Sequence, residues 1–113
     1  MRESGVLKQI KEYCERVISD RVFIWRQNTQ GTFIRAKNTY AFHGLPGVPD
    51  LVGMTYKGQF LGIEVKRTGA KGQQRPAQKD FEAKCKAFNG IYILTDDLDD
   101  FILQLKEVMK WEV

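Results

Sequence analysis

Apolar positions recur along this chain with two distinct periods. From Glu3 to Ile18, Leu7, Ile10, Cys14 and Val17 fall three and four apart, which predicts an amphipathic helix. "RVFIWRQ", Arg21 to Gln27, is dense in aromatic and β-branched residues and predicts a strand. "GTFIRAK", Gly31 to Lys37, follows the polar turn "NTQG" as its expected strand partner. "NTYAFHGLPGVP" is punctuated by glycine and proline and predicts a loop. Two more strands follow, "LVGMT" from Leu51 and "QFLGIEVK" ending at Lys66, joined near "YKG". "RTGAKGQQR" has the composition of a mobile surface loop. Pro76 suits a first helical turn, where its missing N–H leaves no bond unmade. Ala77, Phe81, Lys84/Cys85 and Phe88 are the expected inner stripe of that helix, and Gly90 its end. "IYILT" predicts a short buried strand and "DDLDDFILQLKEVMKW" a last amphipathic helix. The order α-β-β-β-β-α-β-α predicts one layered α/β domain over residues 1–113.

Charges interrupt this pattern at one place. Glu64 and Lys66 stand within an otherwise apolar strand and, by alternation, on the same face as Phe60 and Gly62. Whether Asp50 of "GVPD" joins them depends on hairpin register. A two-residue turn at Lys57-Gly58 sets Asp50 opposite Val65, on the wrong face. A three-residue loop, Tyr56-Lys57-Gly58, pairs Thr55 with Gln59 and so Asp50 with Glu64, and it needs a left-handed residue where Gly58 stands. A bulge at Gly53 has the same effect. We expect Asp50 and Glu64 side by side, with Lys66 two residues along. Adjacent carboxylates repel until a cation neutralises them, and a hard divalent ion such as Mg²⁺ is the natural one. A lysine beside it suits metal-assisted phosphodiester hydrolysis. A structural Asp–Lys–Glu ion-pair cluster is the alternative.

Composition narrows the partners. The 113 residues are 42% hydrophobic and 28% charged, ordinary for a globular domain, with no apolar run of membrane-spanning length. The N-terminal segment lacks the apolar stretch of a secretory signal, so a cytoplasmic location is expected. Cys14 and Cys85 have no metal-type spacing, and the single histidine, His43, does not complete a zinc set with them; both are expected as buried thiols. The net charge is +4, and between Lys66 and Lys86 seven cations face only Asp80 and Glu82. That concentration, beginning at the catalytic strand's end, favours a nucleic-acid partner bound through phosphates.

"PD" followed by "EVK" resembles the PD-(D/E)XK nuclease signature, with Pro49-Asp50 and Glu64-Val65-Lys66. "ESGVLKQIKEYC", "FIWRQNTQG", "GLPGVPDLVG", "GQFLGIEVKRTGAK" and "NGIYILTD", in this order, resemble the small VRR-NUC domains of phages and prophages along nearly the whole chain. The resemblance implies a restriction-endonuclease-like fold, a mixed central β-sheet flanked by helices, with a Mg²⁺ or Mn²⁺ site. It implies Asp50, Glu64 and the Val65 carbonyl as metal ligands, Lys66 as catalytic lysine, and Gln78 near the metal or its water. The family's first-helix glutamate is assigned to Glu3, at the end of the buried stripe, rather than to Glu12 or Glu15. Arg26 and Asn28 of "WRQN" also match the family, as a phosphate contact or a support for the site loop.

The expectation is a metal-dependent, structure-selective DNA endonuclease acting on branched DNA such as flaps or four-way (Holliday) junctions, as a homodimer that cuts two strands. Arg26, Arg67, Lys71, Arg75 and Lys79 are the expected phosphate contacts. Trp25 is expected in the core, and His43 without a role. A non-catalytic nucleic-acid-binding module of the same fold is the alternative.

Overall fold

The computed structural model describes residues 1–27, 32–41 and 44–111. Helix α1, Glu3–Arg16, buries Val6, Leu7, Ile10 and Cys14, a stripe that its apolar spacing dictates. The stripe ends one residue later than expected. Val17 is the C-cap and lies 64% exposed, while Ile18 enters the core and its carbonyl accepts from the N–H groups of Arg21 and Val22. That turn carries the chain directly into the sheet.

The strands are β1 (Val22–Arg26), β2 (Thr32–Ile34), β3 (Thr39–Ala41), β4 (Leu51–Thr55), β5 (Phe60–Val65) and β6 (Ile91–Thr95). Four form a mixed sheet in the order β1-β4-β5-β6, antiparallel except for the parallel β5–β6 pair, which is connected through helix α2 (Pro76–Ala87). Helix α3 (Leu98–Met109) joins α1 on one face, where Ile10, Phe101 and Leu105 pack on Leu51, Leu61, Ile63 and Ile93. Burying each such side chain stabilises the fold by roughly 1.5–3 kcal/mol, so this layer is the main source of stability. Helix α2 lies on the opposite face, with the Phe81 ring against Phe60 and Tyr92.

Several expectations are corrected. The segment expected to pair with β1 forms instead a separate ribbon, β2 with β3, across a 3₁₀ turn at Arg35–Lys37 and a left-handed Asn38. The described residues therefore hold one strand more than predicted, and it falls within the expected 38–49 loop. The partner of β1 is β4, and Gly53 allows the approach: a Cβ there would stand 1.9 Å from the Phe23 carbonyl oxygen. Trp25 is not in the core; it is 42% exposed beside an exposed Phe23. Helix α2 buries only Cys85, and Phe88 is 87% exposed. Its end is set by Asn89, left-handed at φ 66, while the Gly90 N–H donates to the Cys85 carbonyl in a Schellman closure. The expected turn at 28–31, including Asn28, and His43 lie outside the described residues. Among the described residues no helix is long and apolar enough to cross a membrane.

Candidate functional site

The β4–β5 hairpin turns through Tyr56, Lys57 and Gly58, with Gly58 left-handed at φ 80. The Gly58 N–H donates to Thr55 O and the Thr55 N–H to Gln59 O, each 2.9 Å. Leu51 pairs with Ile63 and Met54 with Phe60, a register that continues to Asp50 opposite Glu64. The three-residue loop thus puts both carboxylates on one face, as its sequence predicts. Asp50 is held there by its own contact: its Oδ2 accepts the Val65 N–H at 2.9 Å.

The segment leading to Asp50 is clamped between β5 and α2. Pro49 is fully buried, and a Cβ on Gly62 would meet its Cγ at 2.9 Å. Gly47, at φ 80, packs so closely on α2 that a Cβ would stand 2.1 Å from the Ala77 carbonyl oxygen. Two glycines and a proline ring therefore fix the height of Asp50 above the sheet.

Glu64 and Lys66 are 2% and 9% exposed. Gln78, in the first turn of α2, joins them: its Nε2 donates to Glu64 Oε1 at 2.5 Å, and its Oε1 accepts Lys66 Nζ at 3.0 Å. The same Oε1 accepts the Arg75 N–H at 2.8 Å, so the residue that caps the helix also bridges the acid and the lysine. Glu64 Oε2 is buried, and among the described residues no N–H or hydroxyl donor reaches it; only a proton shared with Asp50 could serve it. Burial first, then the Asp50 carboxylate, pushes the Glu64 carboxyl up to about 8; Lys66 works against this, and Glu3 adds a smaller push in the same direction.

Asp50, Glu64, Lys66, Gln78 and the Val65 backbone are thus brought together. Glu3 is not part of this cluster. It is exposed at the start of α1, near enough for its charge to be felt, and among the described residues no three His, Cys, Asp or Glu side chains gather to hold a metal. Glu3 does lie one turn before Val6 and Leu7, in line with the buried stripe, but as the first residue of the helix its side chain stays exposed. Arg26 also stands apart. It pairs with Leu51 and so points to the face that α1 covers, the one opposite Asp50.

Arg67, Arg75 and Lys79 are exposed beyond the end of β5 and at the start of α2. The loop that carries Arg67 and Lys71 is tied down, contrary to its composition. The Thr68 N–H donates to Met1 O, the Gly69 N–H to Asp96 Oδ2, and Ala70 is 2% exposed. Lys71 Nζ lies 3.0 Å from Asp100, so its ammonium is paired within the fold. Partial burial works against the charge of Asp100, yet hydrogen bonds from Thr95, Lys71 and Gln104 hold its carboxyl below the ordinary value. Sequence reasoning missed this anchor, and also Gln74, which donates to Tyr92 Oη and Glu82 beneath the site; no periodicity marks either. Cys14 and Cys85 are both buried thiols.

No protein-family model, curated protein or solved structure matches this chain. Fold and site together define an α/β domain with a buried glutamate and lysine beside a half-buried aspartate at one end of a mixed sheet.

Proposed function

We propose that the protein is a Mg²⁺- or Mn²⁺-dependent DNA endonuclease of the PD-(D/E)XK type, close to VRR-NUC domains, acting on branched DNA such as flaps or four-way junctions. The observation that carries this reading is the pairing of Asp50 with a buried Glu64 whose Oε2 meets no N–H or hydroxyl donor among the described residues. An orphaned carboxylate oxygen beside a second carboxylate is a poor arrangement for a purely structural ion pair and a good one for a hard cation. The mixed sheet with helices on both faces agrees with the same fold.

Asp50 and Glu64 would hold the ion, with the Val65 carbonyl as a backbone ligand. When bound, a divalent cation lowers the pKa of water and neutralises charge on a phosphate oxygen. Lys66 reaches the same space and can hold the attacking water or the phosphate charge, while Gln78 fixes the ammonium and the Glu64 carboxylate relative to one another. Attack at phosphorus with loss of the 3′ oxygen leaves 5′-phosphate and 3′-hydroxyl ends. Arg67, Arg75 and Lys79, all exposed, would contact flanking phosphates, binding without base reading. Two copies would cut the two strands of a junction; sedimentation that shows only monomer at micromolar concentration, with and without DNA, removes that element.

The test is cleavage of labelled single strand, duplex, 5′ flap, 3′ flap and four-way junction with Mg²⁺, Mn²⁺ or EDTA. Wild type should cut a branched form only with metal, and Asp50→Asn and Lys66→Ala should each lose about 10²-fold or more in rate. Uncut DNA throughout, with binding the same in both variants, would establish a non-catalytic binding module instead.

A further inference from the structure

Phe60 lies on the Glu64 face of β5 and forms the floor of an open pocket of about 260 Å³, walled by Leu45, Phe81 and Phe88, with Lys84 at its rim. The Phe60 and Phe81 rings are 6.0 Å apart and tilted by 54°. Phe88 and Leu45 are 87% and 53% exposed, large apolar side chains presented to solvent. The Schellman closure at Asn89 and Gly90 fixes where the helix carrying Phe88 ends.

The pocket stands in line with the site. Phe60 precedes Glu64 by four residues on one strand, about 13 Å at ~3.3 Å per residue. Phe88 follows Gln78 by ten residues along α2, about 15 Å at ~1.5 Å per residue. Strand and helix agree on the offset. The 45–50 segment spans it, with Leu45 in the pocket wall and Asp50 in the site. Along one DNA strand the offset is about four nucleotides when stacked at ~3.4 Å, and fewer when extended.

We propose that this pocket takes one unpaired base of a branched DNA, stacked on Phe88 and Phe60, with Lys84 toward its phosphate. The proposal rests on the nuclease reading of the site and deepens it, since it names what is read in the substrate: an unstacked base rather than a sequence. Aromatic walls accept any base, because every base has a π-face. A base inside a duplex is held by its neighbours, whereas a flap or junction offers one at little cost. Charge favours a nucleic-acid strand over an apolar peptide, because among the described residues a lysine and no carboxylate lines the pocket, in a chain of net charge +4.

The experiment uses the Asp50→Asn protein and forked DNA in which 2-aminopurine is stepped through positions on both sides of the branch point. Quenching should appear at one or two adjacent unpaired positions and vanish in Phe88→Ala, with Phe88→Trp restoring it. An abasic residue at the quenched position should weaken binding about 5-fold or more, and Phe88→Ala should remove that sensitivity. Phe88 is 87% exposed, so its truncation leaves the core intact, and Leu45→Ala serves as a second, independent variant. Quenching spread evenly over all positions, or fork affinity unchanged in Phe88→Ala, would overturn the proposal. So would a change from dimer to monomer in Phe88→Ala without DNA, which would give the pocket to a second copy. Localised quenching with a wild type that cuts nothing would sink the nuclease reading alone, and metal-dependent cutting without localised quenching would sink the pocket alone.

Discussion

Glu64 concentrates the site's conflict in one side chain. Its burial and the neighbouring Asp50 raise its pKa from 4.5 to about 8. Between those values the metal-free folded protein keeps a proton that the unfolded chain has released, so this group's contribution to stability falls as pH rises through the window. A cation requires the unprotonated form, so its binding must strengthen over the same range. We expect the rise in melting temperature on adding Mn²⁺ to grow from pH 6 to about 8.5 and then level off, followed by thermal shift. Glu64→Gln should flatten the pH dependence of the metal-free protein; an unchanged profile would place the titration elsewhere. At this scale local signals, charge in an apolar strand and the length of the turn before it, singled out Asp50, Glu64 and Lys66, whereas Gln78 was reached only through the family resemblance. Glu3 and Arg26 stand apart from that cluster, because exposure at a helix end and the pairing of strands are not local signals.

Among the elements, the loop that carries Asp50 and the hairpin turn that sets its register each depend on a glycine at φ 80. Gly58 has open space where its Cβ would be, and Gly47 has the Ala77 carbonyl. Gly58→Ala should therefore cost only the backbone strain, about 1–2 kcal/mol by denaturant titration, with DNA cleavage retained. Gly47→Ala adds a clash with helix α2 and should destabilise by a further ~1–3 kcal/mol and depress cleavage too, because the segment holding Asp50 must lift. Equal effects of the two variants on cleavage would show that the α2 contact does not position Asp50. The hairpin's register was legible because turn length and a single glycine decide it. The β2–β3 ribbon was not, because strand propensity says that a segment is extended and says nothing of its partner.

For the molecule as a whole, charge is distributed between solvent and the fold's own anchors. Arg67 is exposed, while Lys71 is spent on Asp100, at side-chain exposures of 40% and 29%. Such a half-exposed pair contributes about 0–1 kcal/mol to stability. Removing a phosphate contact lowers the slope of log affinity against log salt by about 0.7–0.9. Arg67→Ala should show that reduction in DNA binding by fluorescence anisotropy, and Lys71→Ala should show much less of it. A full reduction in Lys71→Ala would mean that DNA displaces Asp100 from the lysine.

The sequence by itself determined the elements with strong local signals: the α1 stripe, the proline-started α2, the buried β5 and β6, and the turn that aligns Asp50 with Glu64. Periodicity, φ preference and alternation act within a few residues, so they can be read without the fold. Tertiary structure alone decided that β1 pairs with β4 across Gly53, that Pro49 rests on Gly62, that the 67–75 loop is pinned to Met1, Asp96 and Asp100, and that Gln78 bridges Glu64 and Lys66. Each of these is a contact between residues distant in the chain, chosen by which surfaces bury one another and which polar groups remain to be paired.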